Sequence, residues 1–183
     1  MQNPRLSAIY AKSLADVAVE RNQFDQAYND MQYIKSICKV SQDFVVLLKS
    51  PVVFADKKQA IFSQITKGNI SELTASFVAL LIKKGREGFL PEIADAFIRE
   101  YNKRNGINIV KMTTAAPLSE QNKNSILEKL KTGAGFDKVE LETAVKEDLI
   151  GGFVLEYNNN LVDASIAREL RDIKKKFQQN FVY

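Results

Sequence analysis

Chemistry in this chain would have to come from a short inventory: the glycine pair Gly151-Gly152, the acidic pairs Glu140/Glu142 and Glu147-Asp148, the basic runs Lys83-Lys84-Gly85-Arg86 and Lys174-Lys175-Lys176, and the single cysteine Cys38. A phosphate loop needs Gly-Lys-Ser/Thr after its glycines, and a dinucleotide fingerprint needs a helix there. Here the apolar strand pattern FVLEY follows the pair, so the glycines suit a bulge or a close backbone approach. Paired carboxylates can act as acid and base or hold a metal, but these two pairs have no basic companion at a useful spacing. Histidine is absent altogether, which removes the commonest general base and the commonest metal ligand. A solvated strand face accounts for Glu140 and Glu142. The basic runs suit helix ends, and no aromatic-rich RNA motif accompanies them. Cys38 sits at helical apolar spacing in YIKSICKV and reads as a small buried hydrophobe; one cysteine allows neither an internal disulfide nor a Cys-rich zinc site. No catalytic residue, cofactor site or metal site is expected.

The elements follow from periodicity. The chain has 183 residues, 45% of them apolar and 26% charged, enough for one ordinary core or two small ones. From Asn3 to Arg104 the apolar residues recur at three and four, which predicts a succession of amphipathic helices. Asn3-Pro4 opens the first, which can run to about Arg21. Ser41 caps a short helix that Ser50-Pro51 ends, and Asp56 opens another that Gly68-Asn69 closes. Asn69-Ile70-Ser71 matches a glycosylation acceptor formally, but starting the helix SELTASFVALLIKK is its expected role. LPEIADAFIREYNKR stops at Asn105-Gly106. Six helices on short loops predict a bundle.

Beyond Gly106 the period changes. INIVKMTTAA is rich in β-branched residues, and in KVELETAVK the residues Val139, Leu141, Thr143 and Val145 alternate with polar or small ones, predicting strands with one buried face. Between them Ser119 can cap a helix with a seam at Ile126, Leu127 and Leu130, ended by Gly133 and Gly135. Asn158 to Asn160 suit a hairpin turn, LVD a return strand, and Asp163 or Ser165 the cap of a last amphipathic helix with Ile166, Leu170, Ile173 and Phe177 on one stripe. The expected fold is mainly α: a six-helix bundle over residues 1–105, then a small α+β domain over 106–183.

The net charge of +4 resides in the first part, with 15 basic and 11 acidic residues before Gly106 and 11 of each after it. No apolar run approaches the roughly 20 residues of a transmembrane helix, and Asp16 and Glu20 argue against a transit peptide. A link to a membrane would come through a partner. In the first helix Ala8, Ala11, Ala15 and Ala18 form a stripe along which another helix could approach closely, flanked by Leu6, Tyr10, Leu14 and Val17, while SFVALLI is apolar over nearly its whole circumference. Such helices either complete a groove for a partner helix or are simply central in the bundle, and periodicity does not choose.

Four stretches, SAIYAKSLADVA, LLKSPVVFADKKQAIFSQI, KKGREGFLPEIADAFIREY and DLIGGFVLEYNNNLVDASIARELRDI, resemble in order and spacing the delta subunit of bacterial F-type ATP synthase, whose mitochondrial counterpart is the oligomycin-sensitivity-conferring protein. The resemblance covers essentially the whole chain. It implies a six-helix N-terminal domain, a smaller C-terminal α/β domain and no catalysis. It implies a stator part of the peripheral stalk, joining the catalytic head to the stalk so that the head does not turn with the rotor during proton-driven ATP synthesis. The partners so implied are the N-terminal helix of an alpha subunit, in a groove between the first and fifth helices, and the C-terminal ends of the b subunits at the last helix. Carried onto this chain, the groove residues are Tyr10, Ser13, Leu14, Val17, Val78, Leu81 and Ile82. The implied location is peripheral, on the cytoplasmic face of a bacterial inner membrane, through the complex and without nucleic acid. One departure is Ala8-Ile9, where the family often has arginine and proline before the motif tyrosine. The rival expectations are an RNA-binding or assembly factor using the basic first part, and a small enzyme using the Gly-Gly loop.

Overall fold

The computed structural model describes residues 4–117, 119, 121–123, 125–128, 138–157 and 160–180. The chain is mainly helical with a small mixed sheet, and it divides into two compact units between Arg104 and Asn105.

The first unit consists of helices α1 (Pro4–Glu20), α2 (Phe24–Val40), α3 (Gln42–Lys49), α4 (Ala55–Thr66), α5 (Glu72–Lys83) and α6 (Leu90–Arg104), with a 3-10 turn at Glu87–Phe89. Their boundaries have local causes. Ser41 accepts the backbone N–H of Phe44 to start α3, and Ser71 accepts that of Thr74 to start α5. At the far end of α5, Gly85 takes a φ of +64° while its N–H reaches the Ile82 carbonyl and that of Arg86 reaches the Leu81 carbonyl. This is a Schellman stop, for which glycine is the natural residue. Asp56 does not cap α4: Phe54 occupies the capping position with no side-chain bond, and Asp56 lies in the first turn, where its charge suits the positive end of the helix.

The core of this unit is built from Leu14, Met31, Ile34, Phe62, Val78 and Phe97, among others. The alanine stripe of α1 is spent inside it. Ala11, Ala15 and Ala18 are fully buried and Ala8 is exposed, and α1 packs most extensively against α6, the close approach that small residues permit. α6 runs parallel to α1, because Arg104 at its end binds Asp16 (2.6 Å). It runs antiparallel to α2, as shown by the Lys35–Asp95 pair (2.8 Å) and by the Tyr101 hydroxyl donating to Asp25 (2.7 Å).

The second unit holds strands β1 (Ile107–Thr114), β2 (Lys138–Val145), β3 (Gly152–Tyr157) and β4 (Asn160–Ser165) in the order β2-β1-β3-β4, followed by the C-terminal helix Ile166–Asn180. β1 pairs parallel with β2; β1 with β3 and β3 with β4 are antiparallel. Asn160 belongs to β4, paired with Tyr157, rather than to the turn, and Asn158 and Asn159 lie outside the described residues. Ser119 accepts the N–H of Asn122 at the start of helical residues 121–123 and 125–128; the expected Leu130 seam position and the Gly133 and Gly135 stop lie outside the described residues. The alternation expected along β2 holds for Val139 and Leu141, which are half-buried, and fails at Thr143 and Val145, which are exposed. β2 is an edge strand of the sheet.

Candidate functional site

The seven residues expected to receive a partner helix separate by depth. Leu14, Val78, Leu81 and Ile82 are 2%, 0%, 0% and 5% exposed and hold α1 and α5 to the rest of the core. Tyr10 is half-buried, Ser13 is exposed with its hydroxyl donating to the Ile9 carbonyl (3.0 Å), and Val17 is 37% exposed. Burial follows from helix geometry: Leu14 and Val78 point inward from α1 and α5 with Ala18 and Thr74, so they support the outer face from below.

α1 and α5 meet through Tyr10 and Phe77, whose rings lie edge to face with centroids 6.5 Å apart. At 3.6 residues per turn, Leu6, Ser13 and Val17 share the side of α1 on which Tyr10 stands, and Leu80 and Lys84 share that of Phe77 on α5. Leu80 is 46% exposed, and Ile9 beside this side of α1 is 60% exposed. The outer α1–α5 face is therefore a Tyr10–Phe77 floor with apolar side chains along both helices. Leu80 lies within the apolar run SFVALLI and Ile9 next to Tyr10, but neither is among the seven residues expected in the groove. The start of α5 is pinned to α2, because Asp30, itself buried, accepts both the N–H (2.9 Å) and the hydroxyl (2.6 Å) of Ser71. Asp30→Ala should destabilise the helical unit by about 2–3 kcal/mol, read as earlier loss of α5 amide protection in hydrogen exchange.

Glu140, Glu142, Glu147 and Asp148 are exposed, and no metal-holding group of histidine, cysteine, aspartate and glutamate exists among the described residues. Gly152 has a φ of +74°, and a Cβ there would overlap the carbonyl oxygen of Ala164. The space beside it is filled by the chain's own backbone, not left for a phosphate. The Gly151 carbonyl accepts the N–H of Ile166, while Ser165 accepts that of Arg168 (3.2 Å) and Asp163 accepts that of Ser165 (3.0 Å). Ser165 is thus the cap of the last helix, and Asp163 braces it. The Ser165 hydroxyl and N–H together hold the Asp163 carboxyl below the usual carboxylate range. The brace is therefore complete above the ordinary aspartate value and is lost as pH falls through the lowered one.

Burial, with smaller contributions from Glu92 and Asp95, pushes the Cys38 thiol up to about 11. A thiol so shifted is almost wholly protonated at neutral pH, so Cys38 should resist a thiol reagent until the chain unfolds; burst labelling of native protein would contradict its placement.

In the C-terminal unit the stripe of the last helix is not covered. Ile166, Leu170, Ile173 and Phe177 are 43%, 52%, 50% and 61% exposed. An uninterrupted apolar row at four-three-four spacing is the seam by which helices pair.

Comparison with known proteins supplies the family. The model of the ATP synthase delta (OSCP) subunit matches residues 6–177. The chain belongs to that family. It is 36% identical to ATP synthase subunit delta of Cytophaga hutchinsonii, over 100% of this chain and 99% of that one. It is 31% identical to ATP synthase subunit delta of Christiangramia forsetii (98% and 97%) and 30% identical to the chloroplastic subunit delta of Ochrosphaera neapolitana (94% and 97%). A chain in the cryo-EM structure of the Toxoplasma gondii mitochondrial ATP synthase hexamer superposes with a TM-score of 0.74 at 25% identity, covering 97% of this chain and 98% of that one. As a delta subunit it is a non-catalytic stator component of the peripheral stalk of F-type ATP synthase. No helix among the described residues is long and apolar enough to cross a membrane.

Proposed function

We propose that the six helices of residues 1–104 act as one bundle whose outer α1–α5 face seats the helical N-terminal segment of an alpha subunit, and that the exposed stripe of the last helix takes the C-terminal ends of the b subunits. The delta subunit then ties the catalytic head to the stalk, peripheral to a bacterial inner membrane on its cytoplasmic side and held there by the complex. The observation that carries the first contact is the Tyr10–Phe77 floor with Val17 and Leu80 exposed beside it. A helix laid along that floor would cover apolar side chains that the fold leaves in water, and Leu14, Val78, Leu81 and Ile82 would serve it as the packed bed beneath. A joint of this kind resists sliding through buried area and needs no titratable group; about 800 Å² per partner is typical of a stable complex.

The test is calorimetric titration of the full chain with a synthetic peptide of the alpha-subunit N-terminal segment. Val17→Glu and Leu80→Glu should each weaken binding by roughly tenfold to a hundredfold, with the melting temperature unchanged. Wild-type protein that fails to bind the peptide, or variants that bind it equally well, would count against the seat. An RNA-binding part would instead bind RNA with an affinity that collapses as salt rises.

A further inference from the structure

The α1–α5 face has a direction as well as an apolar floor. α6 is parallel to α1, and α5 ends at the junction Lys84–Phe89 from which α6 departs. The C-terminal end of α5 therefore lies where α1 begins. Helical angle agrees: measured from Tyr10 and from Phe77, the buried residues of both helices lie on the same side only if α1 and α5 are antiparallel. At the end where α1 begins, exposed Arg5, Lys83, Lys84 and Arg86 gather, and Lys84 stands on the side of Phe77. At the other end stand Glu20 and Glu72, both exposed, with Arg21 and with an Asp16 already bound to Arg104. One end of the face is strongly basic and the other is close to neutral.

We propose that this charge asymmetry fixes the direction in which a helix lies on the α1–α5 face, with its C-terminal end beside Lys83 and Lys84 and its N-terminal end beside Glu20 and Glu72. The occupant thus runs parallel to α5 and antiparallel to α1. The inference rests on the reading of that face as the seat of an alpha-subunit N-terminal helix. A helix carries roughly half a negative charge at its C-terminal end and half a positive one at its N-terminal end, and its last carbonyls are free to accept hydrogen bonds from lysine. A segment that begins a chain adds an amino-terminal positive charge at the end where Glu20 and Glu72 await it. The apolar floor supplies the affinity, and the charges choose the direction.

The experiment uses the full chain, labelled for amide NMR, and the synthetic alpha-subunit N-terminal peptide carrying a spin label at either its first or its last residue. The C-terminal label is expected to broaden the amides of Lys83, Lys84 and Gly85 while sparing Glu20 and Glu72, and the N-terminal label to do the reverse. Lys83→Glu combined with Lys84→Glu should weaken binding by roughly tenfold and remove the preference for one direction. Saturable binding with the opposite pattern, or with both labels broadening both ends in the wild type, overturns the proposed direction and leaves the seat standing. Absence of saturable binding overturns both.

Discussion

Replacing Lys58 by methionine is expected to destabilise the helical unit by about 3–5 kcal/mol, the loss typical when one member of a buried ion pair is removed. Lys58 Nζ lies 2.6 Å from Glu87 Oε1 and donates to the Leu48 carbonyl at 2.8 Å, and the two side chains are only 5% and 11% exposed. The second carboxylate oxygen, Glu87 Oε2, is buried with no hydrogen-bond partner among the described residues. Removing the ammonium would strand a buried carboxylate without the contact that compensates it. The bond also joins three segments: the end of α3 at Leu48, α4 at Lys58, and the turn that leads into α6 at Glu87. Lys58→Met with Glu87→Leu should recover most of the loss, since a well-packed apolar pair is often as stable as the ionic one. Urea unfolding read by amide exchange in α4 and α6 distinguishes these outcomes; a loss below about 1 kcal/mol in the single variant would mean that water reaches the pair.

The second large effect is expected at Gly152. An alanine there would need a positive φ and would drive its Cβ into the carbonyl oxygen of Ala164, which is fixed by the β3–β4 ladder. Backbone cannot rotate away as a side chain can, so Gly152→Ala should cost the C-terminal unit about 3 kcal/mol or more. Gly151→Ala should cost less. Its Cβ would lie 2.5 Å from Ile166 Cδ1, the tip of a half-exposed side chain that can change rotamer. Thermal melts of both variants, followed by sheet signals, test the order, and a more damaging Gly151 variant would refute this account of the loop.

The sequence made the helices legible because their boundaries are local. Ser41, Ser71, Gly85 and Gly106 each act on a partner within a few residues or on their own φ. Depth was not legible. Leu14 and Tyr10 stand four residues apart on one side of α1, yet one is buried and the other borders the surface. The difference lies in where α5 and α6 sit, which periodicity within α1 does not contain. The Lys58–Glu87 pair was invisible for a related reason: 29 residues separate its members, and a lysine amid KKQAIF looks like any solvated charge. Asp56 misled because aspartate favours both the cap and the first turn, and here it took the second place. The stripe at Ile166, Leu170, Ile173 and Phe177 was plain in the sequence, but a stripe is equally the mark of a helix packed on its own domain; only the exposures show that it is left open.

The last helix starts directly from β4, with its first N–H held by Gly151 and its cap supplied by Ser165. A tug on that helix along the axis of β4 therefore reaches the sheet through the β3–β4 register from Gly152↔Ser165 to Tyr157↔Asn160. Antiparallel hydrogen bonds lie across the strands, so such a force loads the rungs together in shear instead of peeling them one at a time. The hairpin is, in mechanical terms, a shear anchor: a short fastening able to sustain tension that would open the same number of bonds with ease if they were unzipped from one end.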